Sequence, residues 1–187
     1  MRTCLRCLGV LGVIMVLAAG GVYWFVSSRS FSAREQPLAF EAFIARNLRH
    51  LATPPGARAM TNPLTLSPRE MADARDHFAD HCALCHNNNG DGHTMINAGL
   101  YPLAPDLRES ETQALSDGEL FFIIKHGIRF TGMPGWDGEE NEHWELVAFI
   151  RHLPALSAED LKAMEHINGL VTGSNTKGET HHHEEKP

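Results

Sequence analysis

Cys82-Ala83-Leu84-Cys85-His86 is the stretch whose reading decides the fold. Two thiols three positions apart, with an imidazole directly after the second, form the attachment signature of a c-type haem. The chemistry needs that spacing. Each cysteine can close a thioether to one vinyl group, and His86 is then placed to ligate the iron from the proximal side. A zinc ribbon would need a second cysteine pair at comparable spacing. The other two cysteines, Cys4 and Cys7, are far away in a different context. The cofactor expected is therefore one covalent haem c on Cys82, Cys85 and His86.

An iron held by one histidine keeps a free axial position. Met133 follows His86 by 47 residues, within Phe130-Thr131-Gly132-Met133-Pro134-Gly135-Trp136. A Gly-Met-Pro turn is an uncommon place for a core methionine. A thioether opposite an imidazole is an established pairing that raises the reduction potential. His86 and Met133 are thus the expected metal ligands. His93 is the rival, because Asn87-Asn88-Asn89-Gly90-Asp91-Gly92 reads as a mobile loop that would let it swing to the iron. His77, His81 and His126 fall on helices or at their ends and read as structural.

Around this centre the apolar spacing is helical. Ser67-Pro68-Arg69-Glu70 opens a helix with a cap, an N-terminal proline and a capping box, and Met71, Ala74, Phe78 and Cys82 then share a face. Ser116-Asp117-Gly118-Glu119 opens a second, with Leu120, Phe121, Ile123 and Ile124, ended by Gly127. A third runs from about Glu142 through Trp144, Val147 and Ile150 to Leu153, and 157–167 reads as one more. No convincing strand or internal repeat is present. The fold class expected is all-α.

Upstream, Leu8 to Val26 is a run of 19 residues without a charge, long enough to span a bilayer. Tyr23-Trp24-Phe25 suits an interfacial anchor at its outer end. An uncleaved signal anchor is preferred to a signal peptide cut near Ala18-Ala19-Gly20, since apolar character continues past that point. Phe40, Phe43, Ile44, Leu48 and Leu51 then mark an amphipathic helix, stopped by Thr53-Pro54-Pro55-Gly56. Packing on the following domain is the preferred reading for it, with the membrane surface as alternative. Residues 56–66 read as irregular linker. The expected organisation is a membrane anchor at 1–28, helix and linker at 29–66, a haem domain at 67–168 and a disordered tail at 169–187. His181-His182-His183 lies in that tail, as a solvated segment or a divalent-metal site.

Taken together, the stretch from Ser67 to Leu153 resembles the class I cytochrome c family in its small, membrane-anchored bacterial form. The resemblance rests on the haem signature at a helix end, Pro105-Asp106-Leu107, the helix closing at Gly127, Gly132-Met133-Pro134 and the helix carrying Trp144 and Ile150. It implies that the first and last helices cross, with Phe78 and Trp144 at the contact. It also implies that the Pro105 carbonyl, or less well Pro102, accepts the His86 ring N–H, and that Trp136 packs near a haem propionate. Covalent haem attachment happens outside the cytoplasmic membrane, so the resemblance implies a single-pass inner-membrane protein with a periplasmic haem domain.

Charge narrows the partners. Between Ser67 and His166, 18 Asp and Glu stand against 7 Lys and Arg, a net −11. Such a domain repels nucleic acid and would be steered towards a basic face on a redox protein partner. Between Arg29 and Leu66 there are 5 basic and 2 acidic residues. No acid, base or nucleophile constellation is evident, so the expected function is electron transfer rather than catalysis, as a carrier or as the cytochrome subunit of a respiratory complex. A haem enzyme or gas sensor with an open iron site, peroxidase-like, is the alternative.

Overall fold

The computed structural model describes residues 2–28 and 32–167, in two units that part at Glu35. The first is one helix, α1 (Arg2–Ser28). Within it Gly9–Ser28 is long and apolar enough to cross a membrane; 20 residues rise about 30 Å, the thickness of a bilayer's hydrocarbon core. The histidine-containing tail lies outside the described residues.

The second unit is built from helices, and among the described residues it has no strand. They are α2 (Ala39–Ala52), α3 (Pro55–Arg58), α4 (Pro68–His77), α5 (Ala83–His86), α6 (Ser110–Gln113), α7 (Asp117–His126), α8 (Glu140–His152) and α9 (Ala158–Glu165). Both capping boxes expected from the sequence are present. Ser67 Oγ accepts from the Glu70 N–H while Glu70 accepts from the Ser67 N–H, and Ser116 and Glu119 do the same. Two more boxes open α8 at Glu139/Glu142 and α9 at Ser157/Asp160. A carboxylate in the first turn also meets the positive end of the helix dipole.

α4 runs into a single π turn, Phe78–Cys82, before α5 completes the haem signature. The Ala83 N–H reaches back five residues to the Phe78 carbonyl. The widened turn accompanies full burial of Phe78, Ala79 and Ala83 together, and such turns recur at functional sites. No proline or glycine in this run announces it. α4 packs on α8, and α8 on α7, so the two helices that the resemblance expects to meet, those opening and closing the Ser67–Leu153 stretch, are in contact. Their aromatic contact differs from expectation. Phe78 meets Phe149, with ring centroids 5.1 Å apart, whereas Trp144 stacks on Phe121 of α7 at 4.2 Å. Helical spacing puts Trp144 and Phe149 on neighbouring stripes of α8, and two flanking helices divide them. Met164 of α9 is wholly buried in the same core, and Arg75–Asp160 ties α9 to α4 at 3.2 Å.

Residues 56–66, read as linker, hold tightly to this core. α3 sits on the start of α7, where a Cβ at Gly118 would run into the Ala57 carbonyl oxygen. Gly118 N–H donates to Met60 O, and Asn62 Nδ2 to the Trp144 carbonyl at 2.8 Å. α2 does contact the domain, as preferred from sequence, but through its polar side; none of its residues is buried.

Candidate haem site

His86 ends α5, and the chain leaves it through Asn87 at φ +63°. The loop that follows is organised rather than loose. Asp91 accepts from the side-chain amides of Asn87 and Asn89 and from the His93 N–H, each at 2.8 Å. Burial works to raise the Asp91 carboxyl, but these donors and the His93 ring outweigh it and hold it at about 2. His93 is itself kept at Asp91, with Nδ1 3.3 Å from the carboxylate. The ring is 86% exposed there, so this pair holds it only weakly.

Asn97 is the hub that sequence reasoning missed. It is buried, and its amide donates to the carbonyls of Gly92 and Ala104 while its Oδ1 accepts from the Ala104 N–H. Gly92, at φ +73°, brings the backbone so close that a Cβ there would lie 3.0 Å from Ala104 O. This closure presents the next carbonyl, Pro105 O, to His86 Nδ1 at a long 3.4 Å. A carbonyl only accepts, so the bond places the proton on Nδ1 and leaves the Nε2 lone pair free, the form that binds a metal. Burial lowers the His86 pKa and so favours the neutral ring, against the Pro105 bond, which works to raise it. Of the two acceptors expected, the structure brings Pro105 to His86.

Cys82 packs against the core, and Cys85 is partly exposed. Burial pushes the Cys82 thiol up to about 12, with Cys85 adding to the shift, and burial also raises Cys85. Thiols so reluctant to ionise suit neither thiolate coordination nor disulfide exchange. A thioether is neutral and fits. Among the described residues no group of three or more His, Cys, Asp or Glu is arranged to hold a metal ion, so a zinc site has no further ligands here. This donor set fits a covalent haem.

Met133 is half-buried on a turn clamped to the end of α7. Its carbonyl accepts from Ile128 N–H at 3.0 Å, and its own N–H donates to Thr131 Oγ1 at 3.1 Å. Gly127 has φ +67°, and a Cβ there would lie 2.5 Å from the backbone of Pro134 and Gly135. Gly135 in turn has no room for a Cβ against His126 and Lys125. Trp136 N–H donates to Ile124 O, fastening the far end of the turn. The 92–105 loop touches both sides of the site, for Leu100 packs on Gly132, where a Cβ would lie 2.8 Å from it. The Trp136 ring faces His81, edge to face at 5.3 Å, beside a cleft of about 300 Å³ shared with His77, Glu142 and His143.

An all-helical domain with the haem signature at the end of the helix from Ser67, packed against α8, is what a class I c-type cytochrome domain requires. Residues 69–150 match the family described as cytochrome C oxidase, cbb3-type, subunit III, and are such a domain. No curated protein matches the chain. Domains of this class carry a covalently bound haem and transfer electrons.

Proposed function

We propose that this protein is a one-electron carrier anchored in the cytoplasmic membrane, with a single haem c attached to Cys82 and Cys85, ligated by His86 and Met133. When bound, the haem supplies the Fe(III)/Fe(II) couple. Pro105 fixes the tautomer and orientation of His86. Gly127 and Gly135 hold the Met133 turn in place, and Met133 as a ligand would leave no room for peroxide on the iron. Trp136, fastened beside that turn, is the candidate neighbour of a propionate. The observation that carries this reading is the loop 92–105, which packs on His86 through Pro105 and on Gly132 through Leu100.

α1 would be the single-pass anchor, with the haem domain held outside the membrane and α2 and residues 55–66 packed on it. The net −11 of the haem domain favours a redox partner with a basic face. The family matched by residues 69–150 supports a second form of the same reading, a cytochrome subunit within a respiratory complex. Co-purification in mild detergent separates the two.

Redox titration tests the ligand assignment. A thioether sulfur favours Fe(II) relative to a nitrogen ligand, so Met133→His is expected to lower the midpoint potential while haem stays attached. Each tenfold change in the one-electron equilibrium is about 59 mV, so the shift is readily resolved. If wild type binds carbon monoxide rapidly and Met133→His leaves the potential unchanged, the site is open and the enzyme-or-sensor reading replaces the carrier.

A further inference from the structure

α2 is amphipathic, yet it shows its polar side to the protein. Tyr101 donates to Glu41 at 2.6 Å, Arg46 meets Glu111 at 3.4 Å, and His50 Nδ1 lies 2.9 Å from Glu119 Oε1. Ala42 and Arg49 are half-buried on that side. Phe40, Phe43, Leu48 and Leu51 are 72, 59, 59 and 74% exposed, and Ile44 is also exposed. On a 3.6-residue period these five span an arc of about 140°, opposite Ala42 and Arg49. Asn47 falls within this arc, its amide turned back to the Phe43 carbonyl at 2.7 Å, so the exposed face is apolar but for that one residue, and a face of this kind marks an interaction site.

We propose that this face lies in the lipid–water interface, so that α2 is a second, monotopic membrane contact for the haem domain. The proposal rests on the reading of α1 as an anchor. Ten residues, 29–38, join Ser28 to Ala39, and even fully extended they reach only about 35 Å. α2 therefore cannot leave the neighbourhood of the membrane that α1 crosses. Its composition suits that place, with two Phe, two Leu and an Ile on one face and polar groups on the other. Of the basic residues upstream of the haem domain, Arg29 and Arg34 belong to the tether and would meet lipid phosphates, which the haem domain at −11 would avoid. A lipid surface is thus favoured over a second copy, which would bring two acidic domains together. Tyr101 belongs to the loop that carries Pro105, so the contact would keep the His86 side of the site near the bilayer.

The test begins with the full haem-loaded chain, carrying a site-specific protease sequence inserted after Arg34, in phosphatidylcholine–phosphatidylglycerol vesicles. Flotation before cleavage examines the anchor: a chain that stays in solution overturns both readings. After cleavage the haem absorbance is expected to remain with the vesicles. Phe43→Ser with Leu51→Ser should release it, each substitution lowering partitioning about tenfold, with the haem spectrum unchanged because both side chains are exposed. Floating before cleavage and complete release after it, in parent and variant alike, overturns the proposal and leaves the anchor standing. Release from vesicles but retention on native membranes would identify a protein partner instead, and a released dimer in sedimentation a second copy; both overturn the lipid contact.

Discussion

The loop after His86 and the turn carrying Met133 are both irregular, yet different groups hold them. On the His86 side, side chains act as posts: Asp91 gathers four donors and buried Asn97 bridges Gly92 to Ala104. On the Met133 side the work falls to backbone in contact with backbone, and what matters is the absence of side chains at Gly127 and Gly135. A side-chain post can be removed and leave a gap that water partly fills. A backbone contact tolerates no added atom, because neither partner can rotate away.

That contrast predicts the largest effect at Gly127. Gly127→Ala combines a positive φ with a Cβ 2.5 Å from Pro134 and Gly135. Strain of this kind costs about 1–3 kcal/mol, and the contact adds to it, so a loss of about 3 kcal/mol or more is expected in denaturant unfolding. The Met133 turn should be displaced and carbon monoxide should bind, with haem still covalently attached. A variant that excludes carbon monoxide as wild type does would show that the clamp does not position Met133.

Asn97→Ala comes next. It strands the Ala104 carbonyl and N–H and takes one of two donors from Gly92 O, which keeps the Thr94 N–H, for an expected loss of about 1–3 kcal/mol. Here carbon monoxide should remain excluded, because the Met133 turn does not hang on Asn97. Binding as fast as in Gly127→Ala would dissolve the distinction between the two sides.

The smallest effect is expected at Asp91, and it depends on pH. The folded-state pKa is depressed to about 2 from 3.8, so the carboxylate stabilises the fold above about pH 4. That contribution declines below the unfolded value and is gone once pH falls through about 2. Asp91→Asn should therefore be less stable than wild type at neutral pH, by about 1–2 kcal/mol, with the difference closing on acidification. A constant difference from pH 7 to pH 2 would remove Asp91 from the posts of the His86 side.

How far the site was legible follows the same divide. Cys82, Cys85, His86 and Met133 could be singled out because covalent and ligand chemistry demands particular residue types at particular spacings, whatever the surroundings. Asn97 carries no such mark. An asparagine in a loop is ordinary, and its importance arises only when folding buries it between two carbonyls. The loop 87–92 read as mobile for its Asn and Gly content, since composition does not reveal that one carboxylate gathers the donors.

Local rules determined the helices and their starts. The boxes at Ser67 and Ser116, the stop at Gly127 and the apolar run within α1 are short-range physics, complete within a few residues of chain. Tertiary packing decided the rest. It selected Phe149 over Trp144 as the ring against Phe78, placed a π turn where nothing local asks for one, and turned the apolar face of α2 outward. Hydrophobic spacing shows that a face exists and how wide it is. Which neighbour meets it depends on every other face competing for the same core, and that competition is settled only when the whole chain has folded.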